Sequence, residues 1–522
     1  MSLLRAFATV GSYTMLSRVL GFVRDILIAA VLGAGPVADA FFVAFKLPNF
    51  FRRLFAEGAF NAGFVPLYSG LLTTQGRTAA QVFAEQALAV LLATLLVFVT
   101  AMQLAMPWVM HLLAPGFADQ PEKFALAVLF TRLTFPYLLF ISLVSLLGGI
   151  LNSLQRFAAV AFTPVLLNLC LITALTLIAP HMPTAGHALA WGVAAAGAVQ
   201  FVWLILACRR AGVRLRLPWP RLTPKVRELL MLMLPAAIGA GVVQVNLVVD
   251  IILASLLPEG SVSYLFYADR LNQLPIGVVG VAAGTALLPL LSRLVAANDH
   301  TGAQDALNRA IELTLFLALP ATAALLVVPG EIIATLFQRG AFGPAESHAT
   351  MLALMAYASG LPAYVLVKVL GPAYFARRDT RTPVLIGAIA MVVNVVLNLI
   401  LMQFLLHAGL ALATALAAWL NVGLLAAVLR RRGHFAADAR LSRRLGRTLI
   451  ASAVMAAVLW GLAQLLAPAF TGGEAQRIPA LAALVGSGLV SFAAAALLAG
   501  AVSPGELRRL LRRRRAGAAG DD

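Results

Sequence analysis

The chain has 522 residues, 61% of them hydrophobic and only 11% charged, yet it carries 39 Lys and Arg against 21 Asp and Glu, a formal net charge of +18. Soluble proteins carry roughly 25% charged and about 45–50% apolar residues, and several apolar runs here exceed the ~18 residues that mark a membrane span. The composition excludes a soluble enzyme, a disordered chain and a fibrous protein, and what remains is an all-α polytopic membrane protein. The long apolar runs lack the period-two alternation of a β-barrel.

Fourteen spans are expected, near 10–33, 36–62, 83–107, 125–151, 157–179, 187–208, 228–256, 263–292, 310–329, 348–375, 382–405, 408–429, 448–468 and 478–501. Arg18, Arg24 and Asp25 interrupt what would be the apolar region of a cleavable signal, so the N-terminal stretch reads as a span. Cys170 and Cys208 imply no disulfide framework.

The basic residues test this map. With the N-terminus placed in the cytoplasm, 28 of the 39 fall in cytoplasmic loops and tails, 3 in periplasmic loops (Lys123, Arg339 and Arg477) and 8 within spans. That asymmetry is the positive-inside signal, and it predicts both termini in the cytoplasm. Most of the excess charge therefore faces anionic membrane lipids, and no nucleic-acid partner is expected.

A faint repeat runs through the chain. Pro66-Leu67-Tyr68-Ser69-Gly70-Leu71 at the end of span two returns as Pro289-Leu290-Leu291-Ser292-Arg293-Leu294, 223 positions later. Thr163-Pro164-Val165-Leu166 returns as Thr382-Pro383-Val384-Leu385, 219 positions later. Each pair is six spans apart, which predicts two six-helix lobes related by a pseudo-two-fold along the membrane normal. The expected division is 1–215 for the N-terminal lobe, 216–435 for the C-terminal lobe, 436–505 for two additional helices and 506–522 for a basic cytoplasmic tail.

A charge deep in a membrane costs at least about 2.5–3.5 kcal/mol, and such residues face a bundle interior or a wet cavity. Here they concentrate in spans one, two and eight. Arg18, Arg24, Lys46, Arg52, Arg53 and Arg270 stand against Asp25, Asp39, Glu57, Asp269 and the Asp250 of span seven. Structural ion pairs explain part of the set, with Asp25, Glu57 and Asp269 as supporting anions. The arginines as a group predict a cationic cavity, and arginine suits bidentate grip on phosphate oxygens. An anionic substrate follows, a phosphate or pyrophosphate. Asp39, Phe42, Lys46, Asn49 and Arg53 share one helical face, with Arg52 off that stripe. Pro48 makes the phase beyond it unreliable. Ser17 and Arg24 share a face of span one, as do Arg18 and Asp25.

Read in order, Ser17-Arg18-Val19-Leu20-Gly21-Phe22-Val23-Arg24-Asp25, Asp39-Ala40-Phe41-Phe42-Val43-Ala44-Phe45-Lys46-Leu47-Pro48-Asn49, Arg52-Arg53-Leu54-Phe55-Ala56-Glu57-Gly58-Ala59-Phe60 and Tyr267-Ala268-Asp269-Arg270-Leu271 resemble the MurJ (MviN) family of lipid II flippases, within the multidrug/oligosaccharidyl-lipid/polysaccharide exporter superfamily. The resemblance implies a transporter of the bacterial cytoplasmic membrane, not an enzyme, that moves lipid II to the outer leaflet for peptidoglycan synthesis. It implies that Arg18, Arg24, Arg52 and Arg270 engage the pyrophosphate, with Asp39 also important, and Ser17, Asn49 and Arg53 join them as candidate ligands. Gln273 stands where some members carry a carboxylate. The two additional helices resemble a groove for the lipid tail, with plain lipid-facing bulk as the competing reading.

Some members of that family hold sodium, and the matching positions are Asp250, Asn394, Asn398 and Thr414, whose oxygens suit a hard cation. A proton on Asp250 serves equally well, and buried Asn pairs also simply join helices. No cofactor is expected; Na+, H+ and the membrane potential all stay open as the energy source. A monomer is expected, with the cell-wall synthesis machinery as a candidate partner. The rivals are a flippase for another polyprenyl-pyrophosphate-linked glycan and a drug or metabolite antiporter of the same superfamily.

Overall fold

The structure, a computed structural model, describes residues 3–54 and 60–502. Glu57 and the basic tail 506–522 lie outside the described residues. Every regular element among the described residues is helical. In chain order these are α1 (Leu3–Leu32), α2 (Pro36–Phe51), α3 (Asn61–Thr74), α4 (Gly76–Leu113), α5 (Pro121–Thr134), α6 (Tyr137–Ser153), α7 (Phe157–Thr173), α8 (Ala185–Arg210) and α9 (Pro224–Ser255). They continue as α10 (Ser261–Ala296), α11 (His300–Val327), α12 (Pro329–Leu336), α13 (Pro344–Ser359), α14 (Leu361–Phe375), α15 (Arg381–Arg431), α16 (Ala439–Leu465), α17 (Ala467–Thr471) and α18 (Glu474–Leu498).

Among the described residues, nine helical stretches are long and apolar enough to cross a membrane. α1, α9 and α10, which bear intramembrane charges, are not among those nine. α1, α9 and α10 have 30, 32 and 36 residues, ample at 1.5 Å per residue for a ~30 Å hydrocarbon core. The chain is a multi-pass membrane protein.

Three expected spans arrive as pairs of helices. Span two divides into α2 and α3 and runs on to Thr74. Span four divides into α5 and α6 at Phe135–Pro136, and span ten into α13 and α14 at Gly360. Spans eleven and twelve instead lie inside α15, divided at Leu406, whose φ of 49° and ψ of −130° are not helical. The reversal brings backbone so close that a Cβ on Gly409 would sit 2.4 Å from the Leu401 carbonyl oxygen, so only glycine fits there. α4 begins at Gly76, before the apolar run, because its first turns form a polar extension containing Arg77, Gln81 and Glu85.

Two compact units result, 1–263 with 339–343, and 264–338 with 344–522. In the first, α1 packs on α7, α2 on α5, and α8 on both α6 and α7. α9 packs against α3 and α4, so span seven sits with the first six. The buried face of α8 is rich in small residues (Gly186, Ala188, Ala190, Gly192, Ala196 and Gly197). Close packing of this kind is what drives helix association where lipid offers no hydrophobic difference.

In the second unit α11 packs on α14 and α16, and α16 on α18. Polar contacts fix the basic end of α16. Glu312 of α11 receives Arg444 at 2.6 Å and Arg440 at 3.4 Å, and also pairs with Arg309, which reaches Asp438 as well. Elsewhere α16 and α18 expose Ile450, Trp460, Val485, Leu489 and Val490, the surface expected of lipid-facing helices.

Candidate functional site

The site residues expected from sequence divide between the two units. On α1, Arg18 is exposed and Ser17 half-buried, whereas Arg24 and Asp25 are 7% and 3% exposed. Arg24 donates through Nε (3.0 Å) and Nη2 (2.6 Å) to Asp25 Oδ1. Its Nη1 donates to Asn168 Oδ1 at 2.9 Å. The amide nitrogen of Asn168 returns to α1, donating to the Ser17 carbonyl at 2.9 Å and to its hydroxyl at 3.3 Å. Sequence phase placed Ser17 with Arg24 and Arg18 with Asp25. The structure joins Arg24 to its own neighbour Asp25, and reaches Ser17 through a residue of α7. Paired in this way, an arginine is tolerated inside the membrane.

On α2 the proline governs the geometry. Pro48 has no N–H, so the Ala44 carbonyl loses its helical donor; the buried Thr134 hydroxyl donates to it instead, at 3.3 Å. Beyond Pro48 the backbone widens into a π-type turn over 52–54. Arg52 meets Asn49 as an i,i+3 neighbour, donating from Nε to Asn49 Oδ1 at 3.1 Å, while the Asn49 amide donates to the Phe45 carbonyl at 2.7 Å. Arg53, on the expected stripe, is exposed.

Asp39 has a different position from the one expected of a ligand. It is 1% exposed. Its Oδ2 accepts from Lys123 Nζ and the Gly260 amide, both at 2.8 Å. Its Oδ1 accepts from the Ser263 amide at 3.0 Å and the Ser263 hydroxyl at 2.6 Å. A carboxylate offers about four acceptor positions, and four donors occupy them. In this arrangement Asp39 is an internal anchor for the first turns of α5 and α10.

In the second unit, α10 carries Asp269 and Arg270, both half-buried. The Arg270 guanidinium lies over the Phe266 ring, 4.7 Å from its centroid. Gln273 donates to Asp269 at 3.3 Å. Of the candidate cation ligands, Asn394 donates to the Thr414 hydroxyl at 3.5 Å and Asn398 to Asn394 Oδ1 at 3.2 Å, so these three come together on the two halves of α15. Asp250 belongs to the first unit, where Asn246 donates to it at 3.4 Å.

Sequence reasoning missed Asn168, Lys123, Ser263 and Phe266 as site-shaping residues. Asn168 did leave a signal, as the single amide side chain between 157 and 179. Lys123 left a weaker one, as one of few basic residues on the periplasmic side of the charge map. Ser263 and Phe266 left none, since serine and phenylalanine are ordinary there.

The profile of the family described as "Lipid II flippase MurJ" matches residues 28–479. A Rhizobium meliloti protein called "Probable lipid II flippase MurJ" is 45% identical over 519 residues, covering 98% of this chain and 97% of its own. A Burkholderia cenocepacia protein called "Lipid II flippase MurJ" is 36% identical over 502 residues, covering 95% and 96%. Among solved structures, "Lipid II flippase MurJ, inward closed conformation" aligns with a TM-score of 0.76 at 26% identity, over 92% of this chain and 97% of that one. An inward-facing multidrug resistance MATE transporter aligns at 0.67 and 14% identity, over 82% and 98%, and shares the fold. These matches meet the expectation of kinship that the motifs around Arg24 and Arg270 raised: the chain belongs to the MurJ family of lipid II flippases.

Proposed function

We propose that this protein is a transporter that moves lipid II, the undecaprenyl-pyrophosphate-linked disaccharide-pentapeptide, from the inner to the outer leaflet of the bacterial cytoplasmic membrane for peptidoglycan synthesis. The observation that carries this reading is the oriented Arg24, held between Asp25 and Asn168 inside the helical bundle of a MurJ family member. Arg18, Arg24, Arg52 and Arg270 replace water around the pyrophosphate, with Ser17, Asn49 and Arg53 beside them. The tail stays in lipid, alongside the apolar surface of α16 and α18.

The two six-helix lobes of the sequence repeat then alternate access, with both termini in the cytoplasm as the basic loops require. Energy enters through the membrane potential, a proton or a sodium ion. The cavity's own charge returns to its start in each cycle, so an inside-negative potential favours the net outward movement of the anion, at about 2.3 kcal/mol per charge per 100 mV. A cation held by Asn394, Asn398, Thr414 and Asp250 is the alternative coupling site. The protein acts as a monomer, working with the cell-wall synthesis machinery.

The test is replacement of the native protein in cells by the Arg24→Ala plus Arg270→Ala double variant. Lipid II should remain in the inner leaflet, protected from an external enzyme that degrades it. Normal surface exposure of lipid II at normal protein levels would overturn the reading. Collapsing the potential and the ion gradients separately identifies the energy source.

A further inference from the structure

We propose that Asn168 of α7 is a positioning residue for pyrophosphate recognition, acting by fixing the guanidinium of Arg24. The proposal rests on the reading that Arg24 binds the pyrophosphate.

A guanidinium has five N–H donors in one plane. Nε and Nη2 of Arg24 each give one to Asp25, and Nη1 gives one to Asn168. Among the described residues, one N–H on each terminal nitrogen is left over, which is what a bidentate grip on phosphate oxygens needs. Asp25 alone fixes one edge of the plane. With Asn168 on the other terminal nitrogen, the guanidinium plane is held by residues of two helices against turning about its Cδ–Nε bond.

The chemistry of the amide matters as much as its place. Asn168 is 5% exposed, so an unmet polar atom there is costly. Its orientation is set by the network: the opposite flip would turn its N–H groups on the guanidinium and its oxygen on the Ser17 carbonyl. An asparagine thus supplies an acceptor to Arg24 without supplying charge. Asp25 already neutralises Arg24 formally, and a second carboxylate would leave the pair net negative toward an anionic substrate. Gly21 lies beside this amide, where a Cβ would make only an ordinary contact, 3.5 Å from the Asn168 amide nitrogen. The open face of α1 gives Asn168 direct access to the backbone of Ser17. An ordinary helix-joining asparagine would spend its oxygen on backbone or another amide; this one spends it on the candidate ligand.

The experiment uses the full-length protein in nanodiscs, with lipid II as the probe, and reads affinity beside thermal stability. Asn168→Ala should weaken lipid II binding roughly tenfold to a hundredfold, the worth of a hydrogen bond to a charged group. In the Arg24→Ala background the same change should weaken binding no further. Losses that simply add would assign Asn168 a packing role and overturn the proposal, as would unchanged affinity in Asn168→Ala. Should Asn168→Ala fail to fold, Asn168→Asp keeps the shape and the acceptor toward Arg24. Its affinity should fall by a similar factor through charge alone, and full affinity in that variant would also overturn the proposal. Wild-type affinity in Arg24→Ala would instead sink the underlying reading, a result distinguishable from either of these.

Discussion

Lys123 Nζ lies 2.8 Å from Asp39 Oδ2, and the two side chains are 4% and 1% exposed. Asp39 sits in the first turn of α2, where the helix dipole favours an anion. Lys123 sits in the first turn of α5, where the dipole disfavours a cation. The ammonium tolerates that place because of Asp39 and because the Phe117 ring lies beneath it, 4.2 Å from centroid to nitrogen. Removing one partner of a buried pair typically costs about 3–5 kcal/mol, since the other charge is left uncompensated. Asp39→Asn should therefore lower the thermal midpoint of the purified protein sharply. Combining it with Lys123→Met should recover a large part of that loss. If the double variant is as unstable as Asp39→Asn, the stranded ammonium is not the cause.

A second expectation concerns the carbonyl freed by Pro48. Thr134→Val removes the hydroxyl that donates to Ala44 and leaves a buried acceptor unmet, at a cost of about 1–3 kcal/mol. Pro48→Ala restores a backbone N–H within reach of that same carbonyl. In the Thr134→Val background it should recover stability, although in the native background it gains little. Denaturation midpoints of the four proteins in detergent check this, and purely additive effects would show that the hydroxyl and the proline are not linked through Ala44.

How much of this was legible beforehand depends on the range of the interaction. The all-α, multi-pass membrane fold is read from hydropathy, which is a local and collective signal. The break of α2 was readable from Pro48, since a missing N–H has effects within one turn. The partner of Arg24 was not readable, because helical phase compares residues on one helix, whereas Asn168 lies 144 positions away. Asp39 shows the same limit. Its charge in a span marked it as important, but its role depends on Lys123, Gly260 and Ser263, which only the packing of distant helices brings to it. Arg52 was set apart from the stripe because the stripe followed i,i+4 from Asn49 to Arg53, whereas the hydrogen bond to Asn49 uses the i,i+3 neighbour.

The loop between α14 and α15 offers a pH test away from the membrane core. Asp379 accepts from the Thr382 amide at 3.0 Å and from Arg432 Nη1 at 2.6 Å. Hydrogen bonds from Thr382, then the bond and charge of Arg432, hold its carboxyl down at about 2. A carboxyl with a depressed folded-state pKa adds stability above its unfolded pKa of about 3.9, and that contribution is lost as pH falls toward the folded value. The gap in thermal midpoint between the native protein and Asp379→Asn should be constant from neutral pH to about pH 5. It should then shrink between about 4 and 2. A gap that persists unchanged at the acid end would exclude the carboxylate as its source.

The last expectation concerns Arg270, whose guanidinium lies over Phe266. A cation over an aromatic face gains about 0.5–2 kcal/mol, more where water is excluded. The ring also restricts the arginine, presenting its edge rather than its face to a ligand. Phe266→Leu keeps apolar bulk but removes the negative face of the ring. If Arg270 engages the pyrophosphate, this variant should bind lipid II about twofold to thirtyfold less tightly, with stability nearly unchanged. Phe266→Tyr retains the ring face and should bind as the native protein does. Equal weakening in the leucine and tyrosine variants would point to packing around α10, whereas native affinity in Phe266→Leu would mean that the arginine is oriented by its other neighbours. Measured beside Arg270→Ala, the leucine variant separates loss of the charge from loss of its orientation, because only the first should abolish binding altogether.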